Sequence, residues 1–329
     1  MQQKLLSICI PTYNRAEKLS ACLTRLYEEK ESLDENLVEI IVSDNCSNDN
    51  TEIVVNQFIG KIPIRYIRQT SNIGVTKNVI FLGRIATGKY IWHIADDDIV
   101  NKGVITKVIT LLKSERAIDS LFINYRTLSW GMWYKGESGF IGEGKKFILR
   151  NFEKLRGGFM FLTANIVKRN ALLSIYDSID ADDPKMLAIS LIFPIVSVGE
   201  GNLYILDGEN IIDDDINISW SEKKDDVTLR YRFECLLCLQ EFGYTRSEIQ
   251  TLSRKLYRRE KYKITAVLAN EKKTNIEKYK ENKIFLKALL GYTFAIYEYC
   301  YIIMPLSDKV KDIYKIRQTN RSDLTHRIE

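Results

Sequence analysis

The sequence is poor in the groups on which much metal and acid–base chemistry depends. Its 329 residues include only 2 histidines, His93 and His326. His93 falls in an apolar strand pattern, where an imidazole is more often a core residue than a ligand. The 6 cysteines, Cys9, Cys22, Cys46, Cys235, Cys238 and Cys300, are scattered. One CxxC, Cys235 to Cys238, sits among Phe233, Leu236, Leu237 and Leu239, so helical spacing places both thiols on an apolar face. No second CxxC or nearby histidine completes a zinc site. Free buried thiols in a reducing compartment are the expectation.

Glycine fingerprints are also missing. No GxGxxG follows the first strand pattern, which argues against a dinucleotide enzyme. The stretch Gly139 to Lys146 nearly spells a P-loop, but Lys146 stands where a hydroxyl is needed for Mg²⁺, and no clean apolar strand leads into it. Long hydrophobic runs are absent too. Leu5–Ile10 is too short for a signal-peptide core and ends at Pro11. Phe285–Leu306 carries Lys287, Glu298 and several tyrosines, so it reads as a segment lying on a surface rather than crossing a membrane.

What is present is the composition of a folded protein, with 45% hydrophobic and 28% charged residues. The net charge of +5 is unevenly spread: residues from Ser221 onward carry about +8 and those before about −3. A basic C-terminal third suits an anionic surface, and it equally suits a plain solvated face.

The first 130 residues alternate strand and helix patterns. Strands are expected at Leu6–Ile10, Leu37–Val42, Ile64–Ile67 and Tyr90–Ile94, and helices at Glu17–Lys30, after Asp49 or Asn50, from Thr76 to a stop at Gly88, and at Gly103–Ser114. Repeated βα units imply a parallel sheet with helices on both faces, and such sheets bind ligands beyond the carboxyl ends of their strands. Polar clusters fall at that edge by topology: Thr12-Tyr13-Asn14, Ser43-Asp44-Asn45 and Asp96-Asp97-Asp98. From Trp130 to Lys146, 5 glycines read as a mobile loop. Residues 226–318 read as mostly helical.

Asp96-Asp97-Asp98 places three carboxylates side by side, where they repel one another and resist ionisation. A Mg²⁺ or Mn²⁺ relieves this and bridges carboxylates to a diphosphate. The competing reading is a helix N-cap by Asp98. Asp44 likewise divides between reading a base or ribose and closing an Asx turn.

Five stretches carry a more specific signal: Ser7 to Arg15, Ile41 to Thr51, Asn72-Ile73-Gly74, Gly88 to Ile91, and Asp96-Asp97-Asp98. Together and in this order they resemble the family 2 glycosyltransferases of GT-A fold. The remainder more faintly resembles the abequosyltransferase-type O-antigen enzymes, through Gly157-Gly158, Thr163 to Lys168, Asp183-Pro184-Lys185 and Asn217 to Trp220. The resemblance implies an α/β domain with a Rossmann-like, mostly parallel sheet over residues 1–220, and a mostly helical basic extension over 221–329. It implies that Pro11, Thr12, Tyr13 and Asn14 line the nucleotide pocket, that Asp44 bonds the base, and that Asn72 and Gly74 shape the loop beneath ribose or diphosphate. It places Asp97 as the main metal ligand, Asp98 in support and Asp96 near the ribose. Ala95 stands where the family's metal motif has its first acid. Lys185 replaces a frequent histidine and either steadies a diphosphate or lies on the surface.

The implied reaction moves a sugar from a nucleotide-sugar donor to a saccharide acceptor, with Mn²⁺ or Mg²⁺ neutralising the departing diphosphate. The acceptor is expected to be lipid-linked, in O-antigen or capsule assembly, with the chain cytoplasmic and touching the anionic inner membrane face. An inverting enzyme needs a carboxylate base. Asp182 and Asp183 are the candidates, with Asp213, Asp214 and Asp215 in reserve; a retaining enzyme needs none. The rival classes are a non-catalytic nucleotide-sugar or glycan binder, a nucleotidyltransferase, and a nucleic-acid binder using the basic C-terminal part. No nucleic-acid motif supports the last, and no nucleic-acid partner is expected.

Overall fold

A computed structural model describes residues 3–114, 117–127, 131–213, 227–291 and 294. The chain opens with β1 (Leu6–Thr12), α1 (Ala16–Glu28), β2 (Val38–Asp44), α2 (Thr51–Asn56), β3 (Ile64–Arg68), α3 (Val75–Ile85) and β4 (Tyr90–His93). It continues with β5 (Ile99–Val100), α4 (Val104–Lys113), β6 (Ser120–Ile123), β7 (Arg126–Thr127), β8 (Gly131–Met132), β9 (Gly139–Ile141), α5 (Gly144–Met160), β10 (Asn165–Lys168) and α6 (Arg169–Ser178). A 3₁₀ stretch, Pro184–Ile192, leads into α7 (Phe193–Val198), β11 (Leu203–Leu206) and β12 (Ile211–Asp213). After a π-helical turn at Val227–Tyr231 come α8 (Arg232–Cys238), α9 (Arg246–Thr274) and α10 (Ile276–Leu290).

The main sheet has 8 strands in the order β3-β2-β1-β4-β10-β6-β11-β9. β3, β2, β1 and β4 run parallel, β10 runs against both its neighbours, and β9 runs against β11. The sheet is therefore mostly parallel, as the βα alternation implies. Central strands of such a sheet are covered on both faces and read as continuous apolar runs. β2 is buried at every position, whereas β3, at the sheet edge, has none of its residues fully buried. Helices flank the sheet: α1 packs on α2, while α3, α6 and α7 form a second contiguous group. A small second sheet, β5-β12-β7-β8, joins short segments that follow β4 and β6.

A charged residue is buried in β2. Glu39 of β2 accepts from Ser7 Oγ at 2.6 Å and from Thr87 N at 2.7 Å and Oγ1 at 2.8 Å. Burial pushes this carboxyl up, but these donors more than offset it and hold it below the usual range. Gly88 belongs to this brace rather than to a helix end. The expected stop of α3 at Gly88 is not seen: Ile85 is the last helical residue and Ala86 is already extended. A Cβ on Gly88 would lie 2.6 Å from Ser7 N, so glycine is required there for the approach of the segment to β1.

The glycine-rich stretch from Trp130 to Lys146 is not one loop. Among its described residues it supplies β8, β9 and the first turn of α5. The near-P-loop lysine Lys145 lies in that turn, paired with Glu200 at 2.6 Å and Glu248 at 3.1 Å.

The chain divides into two compact units, Met1–Leu252 and Ser253–Glu329. The expected boundary after residue 220 lies outside the described residues. In the second unit α10 is capped by Asn275, whose side chain accepts from Lys278 N at 3.1 Å, and Asn282 donates to Glu271 of α9 at 3.0 and 3.1 Å. Among the described residues no helix is long and apolar enough to cross a membrane. The apolar segment Phe285–Leu306 lies largely outside them, as do Asp214, Asp215 and Asn217 to Trp220.

Candidate functional site

The carboxyl ends of β1, β2 and β4 bring the predicted clusters together around Thr12. Thr12 ends β1 and is the register partner of Asp44, which ends β2. Its carbonyl accepts from Asn45 N at 2.9 Å, and its hydroxyl donates to Asp96 Oδ2 at 2.7 Å. One residue thus ties the edge of β2 to the acids that follow β4. Pro11 precedes it in β1, and Tyr13 follows at 42% exposure. Asn14 turns the chain at φ 52°, a conformation asparagine tolerates. It latches two loops, its N–H donating to Ser47 Oγ at 2.8 Å and its side-chain oxygen accepting from Asn48 N at 2.9 Å.

Asp44 is only 1% exposed. Its Oδ1 accepts from Ser47 N at 2.8 Å, which closes the Asx turn, and its Oδ2 accepts from the Tyr66 hydroxyl at 2.7 Å. Arg68 Nε stands 3.6 Å from the same oxygen. The turn role of Asp44 is therefore present, and one carboxylate oxygen is shared with a phenol and a guanidinium at the end of β3. Burial and Asp44 both push Tyr66 above its ordinary value, so it remains a protonated donor.

Asn72 and Gly74 form the neighbouring loop. Asn72 Oδ1 accepts from Gly74 N at 2.9 Å and from Asn45 Nδ2 at 2.8 Å, while Asn45 Oδ1 accepts from Ile73 N at 2.9 Å. Gly74 has φ 84°, which an L side chain rarely adopts.

The three consecutive aspartates do not share one environment. Asp96 is 3% exposed and accepts from Thr12 and from Arg15 Nη1 at 3.0 Å. Burial raises its carboxyl in spite of those donors. Asp97 is more open: its Oδ2 meets Arg15 Nη1 at 2.9 Å and Lys18 Nζ at 3.4 Å, and its side chain is 23% exposed. Asp98 is buried and accepts from Thr163 Oγ1, whose own oxygen accepts from Ala95 N at 2.9 Å. Asp98 thus ties the segment after β4 to the entry of β10. Among the described residues no three carboxylate, imidazole or thiol side chains converge to hold a metal ion.

The second acid pair lies between α6 and the 3₁₀ stretch. Asp183 caps the latter: its Oδ1 accepts from Lys185 N at 2.9 Å, Pro184 takes the first helical position, and Oδ2 pairs with Lys185 Nζ. Burial is the largest single influence on Asp183 and pushes it up, but the two hydrogen bonds and the charge of Lys185 together more than offset it, leaving the carboxyl below its ordinary value. Lys185 is thereby engaged with its neighbour. Asp182 is exposed and pairs with Lys77 Nζ at 2.6 Å. Lys77 lies in the first turn of α3, just past Gly74, so this pair joins the acid-bearing segment to the Asn72–Gly74 loop. Asp213 ends β12, away from both acid pairs in sequence and in the other sheet.

With this edge in view, the sequence profile described as glycosyl transferase family 2 matches residues 7–175, more than half of the chain. The chain belongs to glycosyl transferase family 2. It is 37% identical over 117 residues to abequosyltransferase RfbV of Salmonella typhimurium, which covers 35% of this chain and 34% of that protein. The chain thus matches about a third of that relative's length. Its fold is that of TarS 1–349 of S. aureus, with TM-score 0.66 at 16% identity over 87% of this chain and 81% of that one. The same TarS fragment has been solved with UDP-GlcNAc. The mannosyltransferase PcManGT from Pyrobaculum calidifontis, solved with GDP-Man and Mn²⁺, aligns with TM-score 0.51 at 13% identity over 92% of this chain and 88% of that one. The family and the GT-A fold expected from the motifs are both seen.

Sequence reading passed over several residues of this edge. Arg15 stood inside the quoted motif without a role, and Lys77 lies three residues beyond Gly74 on a helical first turn; both were within reach of the sequence. Tyr66 and Arg68 have no local signal, because the pairing of β3 with β2 brings them to Asp44; Thr163 opens a quoted stretch, but its contact with Asp98 is long-range.

Proposed function

We propose that this chain transfers a sugar from a nucleotide-sugar donor to a saccharide acceptor. The observation that carries the reading is the Thr12-centred edge, where Asp44, the Asn72–Gly74 loop and the Asp96–Asp97 pair meet at the carboxyl ends of neighbouring strands. Pro11, Thr12, Tyr13, Asn14 and Asp44 would receive the nucleoside, with Asn72 and Gly74 beneath the ribose or diphosphate and Asp96 toward the ribose. Complexes of structural neighbours with UDP-GlcNAc and GDP-Man support a nucleotide-sugar as the ligand class.

Mn²⁺ or Mg²⁺ fits the donor set in one form. Such ions are commonly held by one or two carboxylates completed by substrate phosphates, without an all-protein cage. Asp97 suits that arrangement, since both of its ion-pair contacts fall on Oδ2 and its side chain reaches solvent. When bound, the ion supplies charge neutralisation to the leaving nucleoside diphosphate. Asp98, whose Oδ2 accepts from Thr163, would support the site next to Asp97.

Of the two candidate bases, Asp183 has both oxygens committed to Lys185. That leaves Asp182, held by Lys77 beside the donor loop, as the carboxylate to accept the acceptor's proton. The relation to an abequosyltransferase supports a hexosyl or deoxyhexosyl group and an acceptor from surface-polysaccharide assembly, and the basic residues beyond Ser221 support a lipid-linked acceptor reached at an anionic membrane face. Binding of the full chain to anionic vesicles, lost on truncation after Ser221, tests the membrane part.

The donor reading is tested by thermal stability against UDP-, GDP-, CDP- and dTDP-sugars with and without Mn²⁺. A ligand at 100 times its Kd adds about 2.7 kcal/mol. A metal-enhanced shift with one nucleotide class supports the reading and names the base; no shift with any of them overturns it.

A further inference from the structure

The acid pair that the proposed function assigns to metal and ribose already has a cation. Arg15 Nη1 lies 3.0 Å from Asp96 Oδ1 and 2.9 Å from Asp97 Oδ2, so one nitrogen bridges two carboxylates. Lys18 Nζ, one turn along α1, adds a contact of 3.4 Å to the same Asp97 oxygen. Asp96 is nearly inaccessible, and a buried carboxylate without a partner is costly. Arg15 supplies that partner from the chain itself. Its side chain is 31% exposed, and among the described residues its Nε and Nη2 make no hydrogen bond. The guanidinium is therefore anchored by one nitrogen and still presents donors outward, a form suited to a phosphate oxygen.

A divalent ion approaching Asp97 meets this guanidinium and the Lys18 ammonium on the very carboxylate it needs. Like charges at such distances oppose each other strongly in a partly buried site. A diphosphate changes the balance, because it brings its own negative charge for the cations to follow. We propose that Arg15, seconded by Lys18, is a resident counter-cation of the Asp96–Asp97 pair that keeps a divalent ion out until a nucleoside diphosphate draws the guanidinium onto its phosphates. Ion and diphosphate then enter as a coupled pair, each raising the affinity of the other. The inference rests on the proposed function only for the diphosphate; the exclusion of a lone ion stands on the ion pairs themselves.

The test uses the full chain and two probes. Binding of Mn²⁺ alone is followed by electron paramagnetic resonance of the free ion, and binding of UDP and GDP in EDTA by calorimetry. Arg15→Gln is expected to bind Mn²⁺ alone about 10-fold more tightly than the wild type, a coupling of ordinary size. It is expected to bind whichever nucleoside diphosphate the wild type takes without metal about 10-fold more weakly. Arg15→Lys keeps the charge and should restore most of the exclusion, which loss of packing would not. Lys18→Gln should shift Mn²⁺ affinity the same way by less, and it serves if Arg15→Gln does not fold. Equal Mn²⁺ affinity in wild type and variants, including no binding by any of them, overturns the proposal. Failure of UDP and GDP to bind any protein, with or without Mn²⁺, sinks the donor reading instead, and the Mn²⁺-alone comparison still decides the role of Arg15.

Discussion

Two pairs of adjacent aspartates in this chain look alike as sequence and differ in physics. Asp96-Asp97 follows a central strand of the main sheet, and Asp182-Asp183 precedes a 3₁₀ turn near the surface. Each pair has basic side chains at hand: Arg15 and Lys18 for the first, Lys77 and Lys185 for the second. Yet Asp96 is held above the usual carboxylate range and Asp183 below it. At Asp96 burial outweighs the bridging guanidinium. At Asp183 burial is again the largest single influence, but the side chain, charge and backbone donor of Lys185 together reverse the sign. Neighbouring charge alone does not set the behaviour of an acidic pair; its balance against lost solvent does.

The largest effect expected from this contrast is on turnover. Asp97→Asn should lower glycosyl transfer by about 100-fold or more, the scale of losing one strong electrostatic contact in the transition state. Its melting temperature should stay near the wild type's, since Arg15 keeps Asp96 as a partner. Unaltered rates in Asp97→Asn would break the contrast at its functional end. For the second pair, Asp182→Asn should cost about 100-fold in kcat with little change in donor affinity, as loss of a general base does. Asp183→Asn should be much milder, and the reverse order would exchange their roles.

A buried group outside both pairs gives the next effect. His93 is fully buried, and burial depresses it to about 4 against a hydrogen bond with the Val79 backbone. Among the described residues its Nε2 has no hydrogen-bond partner. The unfolded chain therefore takes up a proton near pH 6.5 that the folded chain resists. His93 contributes stability above pH 6.5 that is lost as pH falls toward 4, up to about 3 kcal/mol. Denaturant unfolding at pH 7 and pH 4.5 should show this slope, and His93→Phe should flatten it. A slope unchanged in that variant would place its origin elsewhere.

Smaller effects sharpen the electrostatic comparison. Replacing Asp183 with alanine removes an N-cap and should cost about 1 kcal/mol, while asparagine, itself a good cap, should cost little. The two pairs should also differ in the sign of their pH response. Asp96 is raised in the folded state, so its contribution to stability is lost as pH rises through its folded value. Asp183 is lowered, so its contribution is lost as pH falls through its own. The melting difference between Asp96→Asn and wild type should accordingly grow in the variant's favour from pH 3 to pH 6, and that for Asp183→Asn should move the other way. Parallel trends would contradict the role given to burial.

Much of this molecule is legible along the chain. β1, β2 and β4 announce themselves as short apolar runs, and α1 and α4 as periodic stripes, so the α/β class and the edge that carries Thr12, Asp44 and Asp96 follow from local pattern. The quoted motifs reach further and lead to the family. Sequence also offers the Asx turn as one of two readings of Asp44, because such a turn is a matter of a few adjacent residues. Tertiary structure alone decides that Gly88 serves a close approach to Ser7 rather than a helix end. It alone turns Asp98 to Thr163 while leaving Asp97 to Arg15 and Lys18, and it alone sets Lys77 against Asp182. The physical reason is common to these cases: burial and long-range pairing determine which of several chemically equal side chains keeps its solvent, and neither quantity is written in the neighbours along the chain.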